Sequence, residues 1–332
     1  MRILREGHNA LDWIEQFVAT EGIDCDYSRV GRFCGAHSEK QFAGLKTRIE
    51  QTPEEFIRDS YLVDRSDQWD ELGSHAYYGG MVSTRHASLD PAKYHQGLLQ
   101  LAIEAGVEVV DYCKVEKIHR ANGGFRVMTS KGEVAADKVV VATSGYTGNA
   151  TPWHQRRIIP IGSYIIATEP IDGGLMKVLM PKNRVIVDTK KLVVYYRTSP
   201  DGQRILFGGR VSIGEIEARR SVPKMHRLMC EIFPQLQNVK VSHCWMGFVG
   251  YTFDGLPHIG EDEGLFYSMG YCGSGISLSS YLGSKVGQQV IGHRDGETAL
   301  SEPNFQTRPL YSGKPWFLAP SVGYYRIRDR FS

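Results

Sequence analysis

The sequence of 332 residues predicts a mixed α/β fold with two kinds of sheet region. The apolar, β-branched run at residues 139–142 indicates a strand buried on both faces of a layered α/β sheet. Residues 158–248 instead read as strands and turns, which is typical of an antiparallel sheet. Residues 265–292 read as strand, glycine turn and helix. The predicted class is therefore α/β with α+β character, and the length favours two domains.

The segment 265–292 contains the first candidate site. Gly270, Gly273 and Gly275 lie within six positions, so the backbone can adopt positive φ and a ligand can approach it without meeting a Cβ. The helix that follows directs its free N–H groups and positive dipole end at the turn. This arrangement favours an anion or an electron-rich ring edge. An ordinary tight connection from strand to helix explains the pattern equally well.

Three helices are predicted in the first third of the chain. Residues 2–20 have the apolar spacing of an amphipathic helix, which should end near Gly22. A second helix should start near Ser38, with Ser38 as its cap. Asp90 and Pro91 open a third, because Asp caps free N–H groups and Pro suits the first turn.

A compact β unit follows, with strands predicted at 107–118, 124–130 and 133–143. The last strand leaves through the small residues Ala-Thr-Ser-Gly at 142–145. These residues are small either because a cofactor lies against the backbone or because a simple loop leaves the sheet here.

The antiparallel region contains a hairpin signal at 199–202, Ser-Pro-Asp-Gly, between two alternating runs. A helix is expected from about Ser221 to Phe233, with Ser221 as its cap and its apolar residues in the core. The aromatic and proline-rich tail at 301–332 is expected to pack back onto the body, and contact with a partner or membrane surface is the weaker alternative.

Composition excludes several classes of protein. The formal net charge is +2, from 39 basic and 37 acidic residues, and no basic block indicates nucleic-acid binding. The six cysteines lack metal-ligand spacing, so no metal site is predicted and the thiols are expected to be reduced in a cytoplasmic protein. No apolar run approaches the roughly 20 residues needed to span a bilayer.

The ordered motifs together carry a family resemblance. They are VVVATSGYTG, YIIATEP, VDTKKLVVYYRTSPDGQRILFGGR, DGLPHIG and GYCGSG. In this order they resemble the D-amino-acid-oxidase-type FAD-dependent oxidoreductases, which include glycine, sarcosine and gamma-glutamylputrescine oxidases. YYGGMV and PLYSGKPWF make the last branch the most similar, and the resemblance covers essentially the whole chain.

One feature of the family is absent from these residues. The resemblance implies a strand, a GxGxxG turn and a helix that hold the pyrophosphate of FAD, and the 332 residues contain no such unit. The alternatives are a truncated sequence, a remnant of the fold that is a flavin-free binding or scaffold protein, and a chain whose FAD site is completed by a partner. A parallel sheet without its central strand should expose apolar edges.

The resemblance implies a discontinuous FAD-binding domain at 1–60, 90–150 and 246–300. It implies an antiparallel substrate domain at 61–89 and 151–245, followed by the tail. The implied cofactor contacts on the adenine side are the Val115 backbone, and those near the pyrophosphate and ribityl chain are Ala142, Thr143 and Gly145. Those implied at the flavin ring are Gly270, Tyr271, Gly273, Gly275 and Ile276.

The resemblance also implies oxidation of an amine or amino acid by hydride transfer to flavin, with hydrolysis of the imine. Candidate pocket residues are Tyr195, Arg210 and Tyr251; Arg210 could pair with a carboxylate or form a surface ion pair. Only one of Tyr195 and Tyr196 can face substrate, because strand neighbours alternate. The histidines at 86 and 258 could act as bases, although a structural role is commoner.

Further departures from the family concern the substrate and the cofactor link. Ser277 stands where sarcosine-oxidising relatives have a Lys that pairs with the substrate carboxylate, so an amine or larger substrate is favoured. No Cys matches the position of covalent attachment, so non-covalent FAD is predicted. Either dioxygen or an electron carrier could reoxidise the flavin.

Overall fold

The computed structural model describes residues 1–121, 123–209 and 216–331. The chain divides into two compact units, each built from three stretches of sequence. The first unit comprises Met1–Asp24, Pro91–Ile161 and Phe248–Pro315, and the second comprises Cys25–Asp90, Gly162–Gly247 and Trp316–Ser332.

The described chain contains both helices and strands. In chain order they are α1 (Arg2–Thr20), β1 (Arg32–Gly35), α2 (Glu39–Gln51), α3 (Glu54–Ile57), β2 (Ser60–Val63), β3 (Gly80–Ser83), α4 (Pro91–Glu104), β4 (Val115–Ala121), β5 (Gly124–Thr129), β6 (Gly132–Ala136), β7 (Val139–Val141), α5 (Pro152–Gln155), β8 (Ile159–Thr168), α6 (Gly173–Leu179), β9 (Val185–Asp188), β10 (Val194–Thr198), β11 (Ile205–Gly209), α7 (Ala218–Ile232), β12 (Val241–Tyr251), β13 (His258–Asp262), β14 (Leu265–Met269), α8 (Gly275–Val290) and α9 (Leu318–Phe331). The mixed fold class is confirmed. No helix in this described part is both long and apolar enough to cross a membrane.

Local capping chemistry sets several helix boundaries as expected. α1 ends before Gly22, which has φ of 63°. The Ser38 hydroxyl accepts a hydrogen bond from the Gln41 N–H at 3.3 Å, so Ser38 caps α2. α4 begins at Pro91, and Gly106 follows it with φ of 87°. The prediction that Ser221 caps a helix is wrong, because α7 begins earlier and the buried Ser221 hydroxyl donates to the Ala218 carbonyl.

The first unit contains two three-stranded sheets, in the orders β13-β14-β7 and β4-β5-β6. β14 runs parallel to β7, with Tyr267 opposite Val141, and antiparallel to β13. α1 and α8 share an apolar cluster that includes Ala10, Leu282 and Val286. Parallel pairing brings the carboxyl ends of β7 and β14 to one sheet edge, where the candidate site begins.

β7 is less enclosed than the sequence predicts. Within the described chain it pairs with β14 on one side only, and Val140 is 43% exposed. The expectation of a strand buried on both faces is therefore wrong at Val140. An apolar edge strand of this kind can accept a further strand.

The second unit is built on an eight-stranded sheet in the order β12-β8-β11-β10-β9-β1-β3-β2. β1 runs parallel to β9 and antiparallel to β3, and the predicted hairpin joins β10 to β11 with Gly202 at φ of 70°. The mainly antiparallel character is confirmed. α7 covers one face of the sheet, where Met225, Met229 and Phe233 join its apolar core.

Some boundaries differ from the expectation for physical reasons. Residues 25–60 belong to the second unit, because β1 pairs with β9 and β3. The strand expected at 107–118 begins only at Val115, and the strand expected at 133–143 divides into β6 and β7. The tail packs onto the body as expected: the Tyr311 hydroxyl donates to the Ile158 carbonyl at 2.7 Å, and Asp329 of α9 accepts the backbone N–H groups of Lys191 and Leu192.

Two buried ionisable groups, His154 and Asp188, contribute to the pH dependence of stability. His154 of α5 is fully buried against Trp153 and Tyr267, and neither ring nitrogen has a hydrogen-bond partner among the described residues. Burial lowers the pKa of His154 to about 4, because charging the ring would bury an uncompensated cation. Burial likewise raises the pKa of Asp188 to about 7, although the Lys190 and Val194 N–H groups oppose this.

Replacement of His154 by Phe tests the first effect. The unfolded chain is protonated here near pH 6.5 but the folded chain only near pH 4, so stability is complete above pH 6.5 and is lost as pH falls. The loss reaches roughly 3 kcal/mol. We expect His154→Phe to lack this acid-induced loss of stability when the free energy of unfolding is measured between about pH 4 and about pH 7.5. The exposed His119, changed to Phe, is the control, and an unaltered profile for the His154 variant would contradict the assignment.

Replacement of Asp188 by Asn tests the second effect, which has the opposite sign. The folded pKa lies above the unfolded value of 3.8, so ionisation costs stability as pH rises toward 7. We expect Asp188→Asn to raise the melting temperature above about pH 7 and to change it little near about pH 4. The exposed Asp67, changed to Asn, should show neither effect. A variant that is less stable above pH 7 would refute this account.

Candidate active site

The turn after β14 adopts a conformation that glycine makes accessible. Gly270 has φ of 79° and Gly273 has φ of 97°, and Cys272 between them also lies in the left-handed region at 52°. The Cys272 N–H donates to the Gly250 carbonyl at 3.1 Å, and the Ser274 N–H donates to Tyr271 at 3.0 Å. These bonds hold the turn against the end of β12.

The three glycines of the turn have different surroundings. A Cβ on Gly270 would collide with Thr252 and lie 3.4 Å from Ile158, so Gly270 is required by packing. A Cβ on Gly273 would meet only the Tyr251 hydroxyl, at 3.7 Å, and one on Gly275 would have no atom within 4 Å. The open positions at Gly273 and Gly275 are the ones at which a ligand can lie against the backbone.

The N-terminus of α8 faces this turn without a neutralising group. α8 spans 16 residues, and the side chain of its cap residue Ser274 makes no capping hydrogen bond within the described chain. Its first turn reads Gly-Ile-Ser-Leu and carries no charge, and Ile276 is 43% exposed. The free N–H groups and the positive end of the helix dipole therefore stay available for a negatively charged ring edge or anion.

The loop after β7 meets the same turn. Ala142 and Thr143 are exposed, whereas Gly145 is buried, and its Cβ would lie 2.7 Å from the Phe248 carbonyl oxygen. Ser144 takes φ of 41° and accepts a hydrogen bond from the Gly270 N–H at 3.4 Å. The structure thus brings the 142–145 loop and the glycine turn together, as parallel pairing of β7 and β14 requires.

Two residues that sequence reasoning missed form this junction. A Cβ on Gly250 would lie 2.6 Å from the Ser144 hydroxyl and 2.9 Å from the Gly145 nitrogen. Gly250 and Ser144 therefore allow the end of β12 to approach the 142–145 loop. The only sequence signal for this was the spacing of Gly247 and Gly250 before the Thr-Phe-Asp segment.

The segment after β12 is stabilised by a polar network. The Thr252 hydroxyl donates to Asp254 and lies 2.9 Å from it, and the Leu256 N–H donates to the same carboxylate oxygen. His258 lies 3.1 Å from both carboxylate oxygens and stacks on Phe305. Burial opposes ionisation of Asp254, but the Leu256 amide and His258 outweigh it, so the pKa of Asp254 is lowered. These contacts give His258 a structural role.

The other predicted residues of the first unit lie in varied surroundings. The Tyr271 hydroxyl donates to the Ser268 carbonyl at 3.0 Å, and its ring packs with the α1–α8 cluster. Burial raises the pKa of Tyr271. Tyr251 lies beside Gly273, whereas Val115 begins β4 in the separate β4-β5-β6 sheet.

The remaining pocket candidates belong to the second unit. Tyr195 and Tyr196 lie on opposite faces of β10: Tyr196 is buried in the core, and the Tyr195 hydroxyl bonds to Ser163. Burial raises the pKa of Tyr195. Arg210 lies outside the described residues. Over residues 1–121, 123–209 and 216–331, no group of three or more His, Cys, Asp or Glu side chains could hold a metal ion.

Comparison with known proteins identifies the family. A family model described as FAD dependent oxidoreductase (DAO) matches residues 1–289. The chain belongs to this FAD-dependent oxidoreductase family. FAD is therefore its cofactor.

Relatives of this oxidoreductase cover most of its length. It is 29% identical to the probable oxidoreductase OrdL of Rhizobium meliloti (strain 1021), over 99% of this chain and 77% of that one. It is 30% identical to the gamma-glutamylputrescine oxidoreductase of Escherichia coli (strain K12), over 93% of this chain and 72% of that one.

Solved structures share the fold of the oxidoreductase. Glycine oxidase from Geobacillus kaustophilus has a TM-score of 0.75 and 19% identity, over 93% of this chain and 84% of that one. L-proline dehydrogenase from P. horikoshii has a TM-score of 0.73 and 17% identity, over 96% and 83%. The fold class predicted from the sequence agrees with these structures.

The described residues fit the ring end of FAD. The backbone is open at Gly273 and Gly275, and the uncapped N-terminus of α8 suits the electron-rich edge of the isoalloxazine. The pyrophosphate end has no GxGxxG turn within the 332 residues. Experiments on this chain can therefore test the contacts to the flavin ring.

Replacement of Gly275 by Val tests whether the ring lies against α8. A Cβ at this position has no protein atom within 4 Å, so the substitution should leave the fold intact but occupy the space of the ring. We expect FAD affinity, measured by quenching of flavin fluorescence, to fall about tenfold or more. The control is Gly283→Val, because Gly283 lies in the same helix and is equally open. Equal effects of the two substitutions would show that only helix propensity had changed.

Proposed function

We propose that this oxidoreductase oxidises the C–N bond of an amine or amino acid. The observation that carries the proposal is the uncapped N-terminus of α8 beside the 142–145 loop, in a chain of this family. Supporting it, one relative is named for gamma-glutamylputrescine, which is an amine, and a further one, 25% identical over 66% of this chain, is named a glycine oxidase.

The reaction that we propose is a two-electron oxidation. When bound, FAD supplies the acceptor for the hydride that leaves the carbon next to nitrogen. The amine nitrogen loses a proton, a C=N bond forms, and water then cleaves the imine to a carbonyl compound and ammonia or an amine. Dioxygen or an electron carrier would reoxidise the cofactor.

The residues of this chain contribute position and electrostatics. The N–H groups at the start of α8 favour negative charge at the ring edge, and such preorganised dipoles often supply the largest catalytic contribution. We propose that Tyr251, beside Gly273, contacts the substrate. Tyr195 and Arg210 are the other two residues that we propose for this role. No strong side-chain base is required, because the substrate reacts as the neutral amine.

The first turn of α8 also bears on the substrate. Ser277 is a neutral residue, and no cation occurs among residues 275–278. A carboxylate of a simple amino acid would therefore lack an ionic partner on this turn. This favours an amine or a larger substrate.

We also propose that the enzyme is cytoplasmic. The free thiols at all six cysteines are consistent with this location.

The loaded protein, reconstituted with FAD, should oxidise an amine in a coupled assay. We expect aldehyde or keto acid from gamma-glutamylputrescine or glycine, and peroxide detected with peroxidase if dioxygen is the acceptor. An artificial electron acceptor distinguishes a dehydrogenase. A flavin-loaded protein that turns over no amine or amino acid with either acceptor would refute the proposal.

The flavin should be held without a covalent bond. Cys272 is the cysteine in the glycine turn, and its thiol contacts the Gly270 carbonyl and Thr252; burial raises its pKa, which disfavours the thiolate. We expect acid precipitation of the loaded protein to release all flavin into the supernatant. Colour retained in the pellet would show covalent attachment.

A second candidate function rests on the open edge of β7. Because β7 pairs on one side only in the described chain, a strand from a partner could complete this sheet and the FAD site. A flavin-free binding or scaffold protein is the related alternative. A well-folded monomer that takes up no FAD would favour the scaffold, and FAD binding that appears only with a second polypeptide would favour the partner.

A further inference from the structure

Thr252, which directly follows β12, packs against the first half of the glycine turn. Its side chain is buried, and its Cγ2 methyl fills the space that a side chain on Gly270 would need. Its hydroxyl lies 3.5 Å from the Cys272 thiol, which donates to the Gly270 carbonyl at 3.1 Å. Thr252 therefore contacts two of the three residues in the packed half of the turn.

The Thr252 side chain is held in one orientation by polar contacts. Its hydroxyl lies 2.9 Å from an Asp254 carboxylate oxygen and 2.9 Å from the Leu256 carbonyl oxygen. Rotation about the Cα–Cβ bond would exchange the positions of the hydroxyl and the methyl group. A rotated Thr252 would lose these contacts and would withdraw the methyl group from Gly270. The polar contacts therefore determine where the methyl group lies.

Asp254 is the acceptor on which these contacts converge. The oxygen that Thr252 contacts also accepts the Leu256 N–H at 3.1 Å, and both carboxylate oxygens lie 3.1 Å from His258 Nε2. Burial opposes ionisation, but the Leu256 amide, His258 and Thr252 outweigh it and lower the pKa of Asp254. An ionised carboxylate can only accept hydrogen bonds, so His258 Nε2 carries a proton and donates it to this contact.

His258 ties Asp254 to the sheet from which the turn departs. It begins β13 and stands opposite Met269, the last residue of β14 before Gly270. Its ring is 1% exposed and stacks on Phe305 with ring centroids 4.3 Å apart. A continuous series of contacts therefore leads from this sheet through His258 and Asp254 to Thr252.

We propose that Asp254 is a positioning residue, which orients Thr252 and thereby holds the amides of residues 273–276 in place for the flavin ring. The proposal rests on the proposed contact between these amides and the ring. The effect of a helix dipole falls off within the first turn, so a small displacement of the turn weakens it. Reduction of FAD increases the negative charge at the ring edge, so a displacement should weaken binding of the reduced form more.

Two nearly isosteric variants test the proposal in the protein loaded with FAD. Thr252→Val removes the hydroxyl, and Asp254→Asn removes the carboxylate charge. In each we expect the affinity for reduced FAD to fall about tenfold more than the affinity for oxidised FAD. This difference lowers the two-electron reduction potential of the bound flavin by about 30 mV. Parent-like potentials in both variants would overturn the proposal.

Thr298→Val is the matched control for loss of a buried hydroxyl. Thr298 is 7% exposed, as is Thr252, and its hydroxyl accepts the Leu300 N–H at 3.3 Å. We expect this variant to melt at a lower temperature than the parent but to keep the parent potential. An equal fall of the potential in the control would show that lost stability is the cause, and would contradict the positioning role.

The double variant tests whether Asp254 acts through Thr252. Residues that act along one path have non-additive effects, so the double variant should show the potential of a single variant. An additive fall would refute this path. The backbone amide signals of the flavin-free protein supply a second readout by NMR. The signals of residues 273–276 should move in Thr252→Val and Asp254→Asn but not in Thr298→Val.

Failure of the positioning role and failure of the proposed reaction give different results. Amine oxidation by the parent, with parent-like potentials and amide signals in both variants, would overturn the positioning role alone. A loaded parent that oxidises no amine, but whose potential falls in both variants, would support the positioning role and refute the reaction.

Discussion

The candidate site depends on a close approach of backbone between three chain segments. Gly145 and Gly250 leave no room for a Cβ between the 142–145 loop and the end of β12. The Gly270 N–H then reaches the Ser144 hydroxyl, and the Cys272 N–H reaches the Gly250 carbonyl. Because residues 270–272 make these contacts, only the second half of the turn, from Gly273 into α8, is open to a ligand.

This division of the turn has an electrostatic consequence. The packed half fixes the direction of α8, and the open half presents the helix N-terminus without a capping side chain or an acidic residue in its first turn. Capping by a side chain would stabilise the protein by about 1 kcal/mol. A helix whose first amides stay free lacks the stabilisation of a capping side chain. A bound ligand with a negatively charged edge supplies a comparable stabilisation.

The sequence predicted elements whose determinants are local. The capped helices, the hairpin and the strand–turn–helix depend on residues within a few positions of one another, as with Ser38 and Gln41. Prediction from the sequence failed where strands far apart in the chain pair with each other. β1 pairs with β9, which lies about 150 residues later, and no periodicity reports this. The same limit explains the wrong prediction that Val140 is buried, because an apolar run has the same sequence pattern in a central strand and in an edge strand.

The candidate site shows the same contrast. The glycine turn and the 142–145 loop were predicted from their small residues. The difference between packed Gly270 and open Gly275, however, depends on Thr252, which directly follows β12.

The central claim is that the backbone amides of residues 273–276 contact the flavin ring. Titration of the isotopically labelled protein with FAD, followed by the backbone amide signals in NMR, tests it most directly. The account predicts that the signals of Gly273, Ser274, Gly275 and Ile276 shift together and saturate with the flavin. Saturable flavin binding that leaves these four signals unmoved would contradict it.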